Sequence, residues 1–345
     1  MPKLLNNALE LYAMSGADQQ RSSKSRYEII HDTIACRREY KTSVNDYLAF
    51  GWSILPEEYR EHYLSRNHNY HLSVQVNNMG LENKWLVYQK LKPYFLRKVV
   101  HTEESPREEV EEFMAQNKHF FAKRTQAYGG KGVQHIIQNG QSSEALLQEL
   151  REGGFYVLEE VITQHEEINR LNPYCINTVR IVTCRNKSGE IITMPSIIRV
   201  GGSEKPVDNI SSGGFYTLIT PDGKIGLEGF YQENIPLLVN NSLIEKEHPV
   251  TGTNPLGIKI PFFQEGMEKA ISMAQELEDM SICGWDIAIT EHGPDVVEVN
   301  SFSGLDINQN YYFTKILGLP HVGMKTKIEE HLKIKIHADF TIEYL

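Results

Sequence analysis

The feature that most restricts the fold is a series of paired apolar runs in the second half of the chain. The first pair, residues 175–185 and 190–200, is joined by Asn-Lys-Ser-Gly, a sequence typical of a β-hairpin turn. Two more pairs turn at residues 221–223 and 291–294. A helix is expected over residues 265–280. Successive hairpins with flanking helices predict antiparallel sheet and an α+β fold.

The first half of the chain has a different pattern. Residues 1–80 are rich in charge, Tyr and His and poor in Gly, and they predict a small helical domain. Residues 81–162 predict helix, helix, strand, glycine loop, strand, helix and strand. We therefore expect a helical domain at 1–80, a first lobe at 81–162, a second lobe at 163–310 and a tail packed on the core at 311–345.

Composition limits the partners of this chain of 345 residues. Its formal net charge of −10 argues against nucleic acid or an anionic membrane surface as a partner. The N-terminus lacks the pattern of a signal peptide, and no apolar stretch approaches the ~18 residues of a spanning helix. None of the four cysteines forms a CxxC pair. We expect a cytoplasmic protein with reduced thiols; the oligomeric state stays open, with a homodimer among the options.

The segment FFAKRTQAYGGKGVQHI, residues 120–136, places a loop with three glycines between two apolar runs. A P-loop would need GxxxxGK followed by Ser or Thr and then a helix, and here Lys131 is followed by Gly132 and a strand-like run. Glycine amides in a strand–loop–strand can still contact phosphate. The loop alone therefore fits both a phosphate-binding lid and a plain hairpin turn.

The segment GWDIAITEHGPDVVEVN, residues 284–300, suggests a metal site. Glu298 and Asn300 share one face of a strand because they are two residues apart. If 291–294 is the turn, Asp286 lies opposite Val299, and a loop one residue shorter or longer places it opposite Asn300 or Glu298. Two carboxylates and an amide oxygen suit Mg²⁺. The alternative is a polar hairpin end, but Glu298 lies within an apolar run, where a free carboxylate is costly to bury.

Several motifs together resemble the ATP-grasp fold, and in particular the sugar-transfer-associated ATP-grasp group. The resemblance covers about residues 81–308, and the motifs occur in the order expected for this group. Its motifs are ENKWLVYQ, the lysine before the glycine loop, LEEVITQHEEINRLNPYCINTVRIVT, SIIRVGG, PVDNISSGG, HPVTG, GWDIAIT and PDVVEVN. The resemblance implies two β-rich lobes that hold ATP between them, a glycine-rich lid over its phosphates, and metal and substrate sites in the second lobe.

The resemblance also implies roles for residues of the first lobe. Lys84 and Lys123 match the two lysines that contact the nucleotide phosphates, although Lys84 could instead be a solvated lysine at a helix start. Residues 126–132 match the lid, which includes Gly129, Gly130, Lys131 and Gly132. The strand residues Glu159, Glu160 and Val161 match the hinge at the adenine edge. Glu167 is either a ribose ligand or a solvated helix residue.

Arg180 and Arg199 lie in strands that are otherwise rich in Ile and Val, and a buried arginine needs an anion. The candidates are the γ-phosphate, an acyl phosphate or a substrate carboxylate, with a structural salt bridge as the alternative. Asn209 falls in a turn that resembles the one beside the γ-phosphate in glutathione-synthetase-like members; that turn includes Asp208, Gly213 and Gly214.

D-alanine–D-alanine ligases place an arginine two residues before the metal aspartate, where this chain has Gly284. We therefore expect Arg180 or Arg199 to orient the acyl substrate.

These residues predict an ATP-dependent carboxylate–amine ligase that uses Mg²⁺, with Mn²⁺ as an alternative ion. It would join a small-molecule carboxylate to an amine through an acyl phosphate, and the group's name implies a role in polysaccharide or sugar-conjugate assembly. A phosphotransferase acting on a hydroxyl is an alternative, since it needs the same nucleotide site. A binding module without turnover is disfavoured because Lys123, Asp286, Glu298 and Asn300 are all present.

Overall fold

A computed structural model describes residues 11–16, 18–19, 21–77, 83–126, 132–206, 208, 210, 213–227, 229–231 and 244–345. The glycine-loop residues 127–131, and with them Gly129, Gly130 and Lys131, lie outside the described residues, as does Asn209.

Ten α-helices are numbered here along the described part of the chain. They are α1 Arg26–Glu39, α2 Val44–Ala49, α3 Arg66–Val76, α4 Lys84–Leu91, α5 Arg107–Gln116, α6 Ser143–Glu152, α7 Glu166–Asn169, α8 Phe263–Glu276, α9 Tyr312–Leu317 and α10 Lys325–Leu332. Short 3-10 helices are Glu57–His62, Lys92–Tyr94 and Leu305–Gln309.

The strands form three antiparallel sheets. They are β1 Val99–His101, β2 His119–Lys123, β3 Val133–Ile137, β4 Val157–Glu160, β5 Thr178–Arg185, β6 Ile191–Thr193, β7 Ile197–Val200, β8 Phe215–Leu218, β9 Phe230–Tyr231, β10 Ile244–Glu245, β11 Ile282–Thr290, β12 Gly293–Asn300, β13 Ile334–Ile336 and β14 Ile342–Tyr344. The first sheet has the order β1-β4-β2-β3, and the second β10-β9-β8-β7-β5-β11-β12 with β6 also paired to β5. Strands β13 and β14 form a separate pair.

Side-chain caps explain where several helices begin. Ser25 and Ser43 each form a capping box at the start of α1 and α2, where the serine hydroxyl accepts from the third helical amide and the acidic side chain there accepts from the serine amide. Asn83 caps α4 and so sets Lys84 at the helix N-terminus, as the sequence predicts. Ser142 caps α6, the amphipathic helix expected in the first lobe.

The large sheet carries the main core. Helix α8 packs on one of its faces, with Ala270, Met273 and Leu277 in the same cluster as Ile181 and Trp285. The N-terminal helices pack elsewhere on this sheet, because an aromatic group containing Tyr47, Phe50 and Trp52 shares a cluster with β7, β8 and α9. The predicted α+β architecture is confirmed, and three of the predicted site residues, Lys84, Glu159 and Glu298, line a cleft between the two sheets.

The predicted hairpins differ from the structure in two details. The run 190–200 divides at Pro195, and both pieces, β6 and β7, pair with β5. The third turn is shorter than predicted, because Gly293 adopts φ +114° and pairs directly with Thr290. The turn predicted at residues 291–294 is therefore wrong in length, since only residues 291 and 292 separate the paired Thr290 and Gly293. A register shift between Asp286 and Ile287 then brings Asp286 opposite Glu298, one of the three partners the sequence allowed.

Two further expectations concern thiols and membranes. The four cysteines are buried and form no disulfide. Of the helices in the described ranges, none combines the length and the apolar character that crossing a bilayer requires.

Candidate active site

The centre of the site is a row of charged side chains across three neighbouring strands. In the register of the large sheet Asp286 on β11 lies opposite Arg180 on β5 and opposite Glu298 on β12. The sheet thus places an arginine between apolar neighbours beside the two carboxylates predicted for the metal. This juxtaposition depends on the bulge after Asp286, since a regular hairpin with the observed turn would have placed Glu298 on the opposite face.

Asp286 binds both predicted arginines. Its Oδ1 accepts from Arg180 Nε at 2.5 Å and its Oδ2 from Arg180 Nη2 at 3.1 Å, while Arg199 Nη2 lies 3.1 Å from Oδ2. Only 1% of Asp286 is exposed. Burial raises the pKa of this carboxyl, but the two guanidiniums outweigh burial and lower it below its ordinary value, so Asp286 is an anion. The remaining Arg180 nitrogen, Nη1, donates to the carbonyl of Ser303 at 2.7 Å.

Arg199 has a second acidic partner in Asp208. Its Nη2 lies 3.3 Å from each carboxylate oxygen of Asp208, and its Nε and Nη2 donate to Thr178 Oγ1 at 3.1 and 2.9 Å. Thr178 in turn donates its hydroxyl to Asp208 at 2.5 Å. Burial raises the pKa of Asp208, the neighbouring Asp286 raises it further, and Arg199 opposes both. The two arginines are therefore held by protein carboxylates, and one of these carboxyls, Asp208, is more easily protonated than usual.

Lys84 lies at the N-terminus of α4 and reaches the metal carboxylate predicted on β12. Its Nζ donates to Glu298 Oε1 at 2.8 Å, and its backbone amide donates to the carbonyl of Thr125 at 2.9 Å. The Glu298 side chain is 38% exposed and that of Lys84 17%. The helix start is thus tied both to the strand that precedes the glycine loop and to the large sheet.

Lys123 makes the corresponding contact in the first sheet, where its Nζ donates to Glu159 Oε2 at 2.7 Å. Arg97 donates to the same oxygen from Nε at 3.0 Å and Nη2 at 2.6 Å, and its Nη1 donates to Asp295 Oδ2 at 2.9 Å. Burial raises the pKa of Glu159, but Arg97 and Lys123 outweigh burial and lower it to about 2. Arg97 thus links the hinge strand to β12 and joins the two sheets.

The sequence did not predict Arg97 and Asp295 as site residues. The only sequence signal was an arginine in the Arg-Lys pair that precedes the apolar run of β1, and such a pair is also typical of the surface. Thr178 and the histidine of the HPVTG motif were missed as well.

The other hinge residues lie at the end of β4, with Glu160 as its last residue and Val161 directly after it. The Glu160 carboxylate accepts from the backbone amide of Lys98 at 2.7 Å, and the Glu160 amide donates to the Lys98 carbonyl. Val161 is 43% exposed directly after the strand. Glu167, on the short helix α7, pairs with Arg170 at 2.7 Å on the surface. The structure thus places Glu159 inside the site and Glu160 at its edge, and gives Glu167 a local partner.

The ends of the glycine loop are held together by the first sheet. Lys123 pairs with Val133 in the register of β2 and β3, and the amide of Arg124 donates to the carbonyl of Gly132 at 2.9 Å. The loop therefore starts at the residue after Lys123 and returns to the same strand pair, as the strand–loop–strand prediction requires. Gly132 is buried at its base.

A cleft opens between the two sheets at these ion pairs. The space in it that water-sized groups can occupy is only about 20 Å³, so the cleft is nearly closed in this structure. Its lining combines polar groups from both sheets with apolar and aromatic walls and consists of Lys84, Val87, Tyr88, Phe95, Glu159, Val297, Glu298 and Val299.

Gly284 lies beneath Arg180. A Cβ at this position would lie 2.9 Å from Ser303 Cβ and 3.5 Å from Arg180 Cδ. Position 284, where D-alanine–D-alanine ligases carry an arginine, therefore lies against the side chain of Arg180 from the adjacent strand β5.

The predicted metal ligands fit Mg²⁺ in chemical kind, since Asp286 and Glu298 are cross-strand neighbours with hard oxygen donors. Asn300 donates through Nδ2 to Asp286 Oδ2 at 3.0 Å. Within the described ranges no group of three or more His, Cys, Asp or Glu could hold a metal ion. A cation at Asp286 and Glu298 would therefore depend on Asn300 and on oxygens from a bound ligand.

The sequence of residues 60–317 matches the family model described as sugar-transfer associated ATP-grasp. The chain belongs to this family. The match spans both lobes and all the charged residues described above, and the ATP-grasp fold predicted from the motifs is confirmed. Comparison with curated proteins gives no match.

Solved structures with a similar fold are distant. N5-carboxyaminoimidazole ribonucleotide synthetase from Thermotoga maritima is 16% identical, with a TM-score of 0.38 over 70% of this chain and 50% of that one. The VanG D-Ala:D-Ser ligase from Enterococcus faecalis is 15% identical, with a TM-score of 0.43 over 72% and 61%. The D-alanine-D-alanine ligase from Coxiella burnetii is 8% identical, with a TM-score of 0.37 over 64% and 48%. The chain aligns with about half the length of the first of these, and such distant likeness does not indicate its activity.

Proposed function

We propose that this ATP-grasp protein is an ATP-dependent ligase that joins a small-molecule carboxylate to an amine. A carboxylate oxygen of the substrate attacks the γ-phosphorus of ATP, which forms an acyl phosphate and releases ADP. The amine then attacks the acyl carbon, and phosphate leaves with the electron pair of the C–O bond while the amine loses a proton. The protein's contribution is positioning and charge neutralisation.

The observation that supports this proposal is that three cations of the predicted site, among the described residues, each pair with a carboxylate of the predicted site. Lys84 pairs with Glu298, Lys123 with Glu159, and Arg199 with Asp286. Such pairs neutralise the charges of the site in the absence of a ligand. A bound nucleotide would replace the carboxylate partner of the lysines by phosphate oxygens, and a cation would replace the lysine partner of Glu298.

Asp286, Glu298 and Asn300 would hold Mg²⁺, or Mn²⁺ in its place. When bound, this ion would neutralise negative charge on the nucleotide phosphates. Asn209 and the glycine loop 126–132 remain predictions from the motifs, as does the use of Glu167 at the ribose.

Arg199 is the better candidate of the two arginines for the acyl substrate. Arg180 donates from Nε, Nη1 and Nη2 to Asp286 and Ser303, so each of its nitrogens is occupied. Contacts of Arg199 with the described residues involve Nε and Nη2. Its Nη1 can therefore donate to an anionic oxygen without breaking the Asp286 pair. Arg199→Lys should lower kcat strongly, because one ammonium cannot hold Thr178, two carboxylates and a substrate oxygen together.

The experiment that tests the reaction class is a screen for ADP release over amino acids, small carboxylic acids and sugar nucleotides, followed by hydroxylamine trapping. A hydroxamate that forms only with ATP and the acyl substrate supports the ligase. ADP release with a phosphorylated hydroxyl product and no hydroxamate would instead identify a phosphotransferase. Asp286→Asn serves as the control that should release no ADP with any substrate.

A further inference from the structure

The HPVTG motif, residues 248–252, forms a turn that is attached to the strand of Arg199. His248 is 1% exposed, and its Nε2 lies 2.6 Å from the carbonyl oxygen of Gly201. Its Nδ1 accepts from the backbone amides of Val250 at 3.3 Å and Thr251 at 3.2 Å. The proton is therefore on Nε2, because Nδ1 faces two donors and Nε2 faces an acceptor.

Gly201 is held by three side chains at once. Its carbonyl accepts from His248 and from Asn172 Nδ2, the latter at 2.7 Å, and its amide donates to Asn177 Oδ1 at 3.2 Å. Gln164 fixes Asn177 in turn, since its Oε1 accepts from the Asn177 amide at 2.6 Å. These asparagine and glutamine side chains are buried, so their hydrogen bonds replace water that the site excludes.

The next residue, Gly202, leaves no room for a side chain. A Cβ at Gly202 would overlap the carbonyl oxygen of Gly213, so the backbones of the two glycines are in direct contact. Residues 201–202 precede the segment that contains Asp208, and residue 213 follows it. The contact between these glycines therefore brings the two ends of that segment together. Arg199 precedes Gly201 by two residues and binds Asp208 across this segment.

We propose that His248 is a positioning residue for the Arg199–Asp208 pair, and that its hydrogen bond to the Gly201 carbonyl fixes the path of the chain between these two side chains. The proposed role rests on the assignment of Arg199 to the acyl substrate under the proposed function. The bond to Gly201 itself does not depend on that assignment, because it lies outside the cleft and contacts only protein groups.

Two substitutions separate the contacts of His248. His248→Gln places an amide N–H where Nε2 donates and lacks the acceptor for residues 250 and 251. His248→Asn places an amide oxygen where Nδ1 accepts and lacks the donor to Gly201. His101 is a matched control, because its Nδ1 also accepts from the amides two and three residues later, while the described residues include no backbone carbonyl bonded to its Nε2.

The first measurement is hydrogen exchange of the peptide that covers residues 197–206, on the intact protein without nucleotide. His248→Asn should increase exchange there at least fivefold, whereas His248→Gln and His101→Asn should leave it within twofold of the wild type. Equal exchange in His248→Asn and the wild type would overturn the proposal. This result would leave the ligase assignment untouched.

The second measurement is steady-state ADP release with the acyl substrate found in the screen. His248→Asn should lower kcat roughly tenfold or more with little change in the KM for ATP, and His248→Gln should restore most of kcat. A residue that only stabilises the fold would lower the melting temperature without this split between the two variants. Loss of kcat in both variants to the same extent would refute the positioning role, while a wild-type protein with no ADP release would refute the proposed function instead.

Discussion

Asp286→Asn should destabilise the protein far more than Glu298→Gln, although both residues are predicted metal ligands. Asp286 is buried and is the shared anion of two buried guanidiniums. Removing one partner of a buried ion pair costs about 3–5 kcal/mol. Each kcal/mol lowers the melting temperature of a domain of 150–250 residues by roughly 2–4 °C, so we expect a loss on the order of 10 °C.

Glu298→Gln is the matched variant in the same row of the sheet. Its side chain is 38% exposed and has Lys84 as its ion-pair partner, a type of contact worth about 0–1 kcal/mol. The melting temperature should therefore stay within roughly 2 °C of the wild type.

The assay combines thermal unfolding at pH 7, followed by circular dichroism, with ADP release at saturating Mg²⁺. Both variants should lose ATP turnover, because a neutral amide neutralises no metal charge, and only Asp286→Asn should lose stability. Equal melting temperatures for the two variants would refute the assignment of Asp286 as the common anchor of the arginines. Near-wild-type ADP release in both would refute the metal assignment.

Three other perturbations test separate parts of the site. The pKa of Glu159 is lowered from 4.5 to about 2, so its charged form stabilises the fold above pH 4.5 and this contribution is lost as the pH falls towards 2. Glu159→Gln should therefore make the melting temperature decline less steeply in that pH window. An unchanged pH profile would contradict the ion-pair assignment. Arg97→Lys should cost about 2–4 kcal/mol, because one ammonium cannot hold Glu159 and Asp295 together, while the exposed Arg107→Lys should show no change in a parallel unfolding curve. Hydrogen exchange of residues 125–133 should slow when a nonhydrolysable ATP analogue is added, since ordering a glycine-rich lid requires the ligand; equal exchange in both states would favour a plain turn.

Much of this architecture could be predicted from local sequence. Hairpin turns, serine caps and the strand–loop–strand segment depend on neighbouring residues, and the structure places each of them near its predicted position. Asp286 and Glu298 were identified because a carboxylate within an apolar strand is unusual in any context. Their alignment could not be fixed, since a register shift after Asp286 and a two-residue turn change the pairing without a local sequence signal.

Contacts between segments that are far apart in the chain could not be predicted from the sequence. Arg97 meets Glu159 and Asp295, which are 62 and 198 residues away, and His248 meets Gly201 across 47 residues. A long-range hydrogen bond of this kind depends on the packing of whole sheets. The sequence alone also could not distinguish a ligand-binding arginine from a structural one, because Arg180 and Arg199 both lie in apolar strands and differ only in how many nitrogens the fold occupies.

The crowding at Gly284 makes two arrangements of this site mutually exclusive. Because even a methyl group there would press against Ser303 and touch Arg180, an arginine at position 284 would need a shift at Ser303 and would compete with Arg180 for the space beside it. A reciprocal exchange of the two residues moves the guanidinium from one strand to the next while the net charge around Asp286 stays the same. A substitution at position 284 alone would crowd the site, and one at position 180 alone would remove a guanidinium that neutralises Asp286. Converting this site to the other arrangement therefore needs both substitutions together.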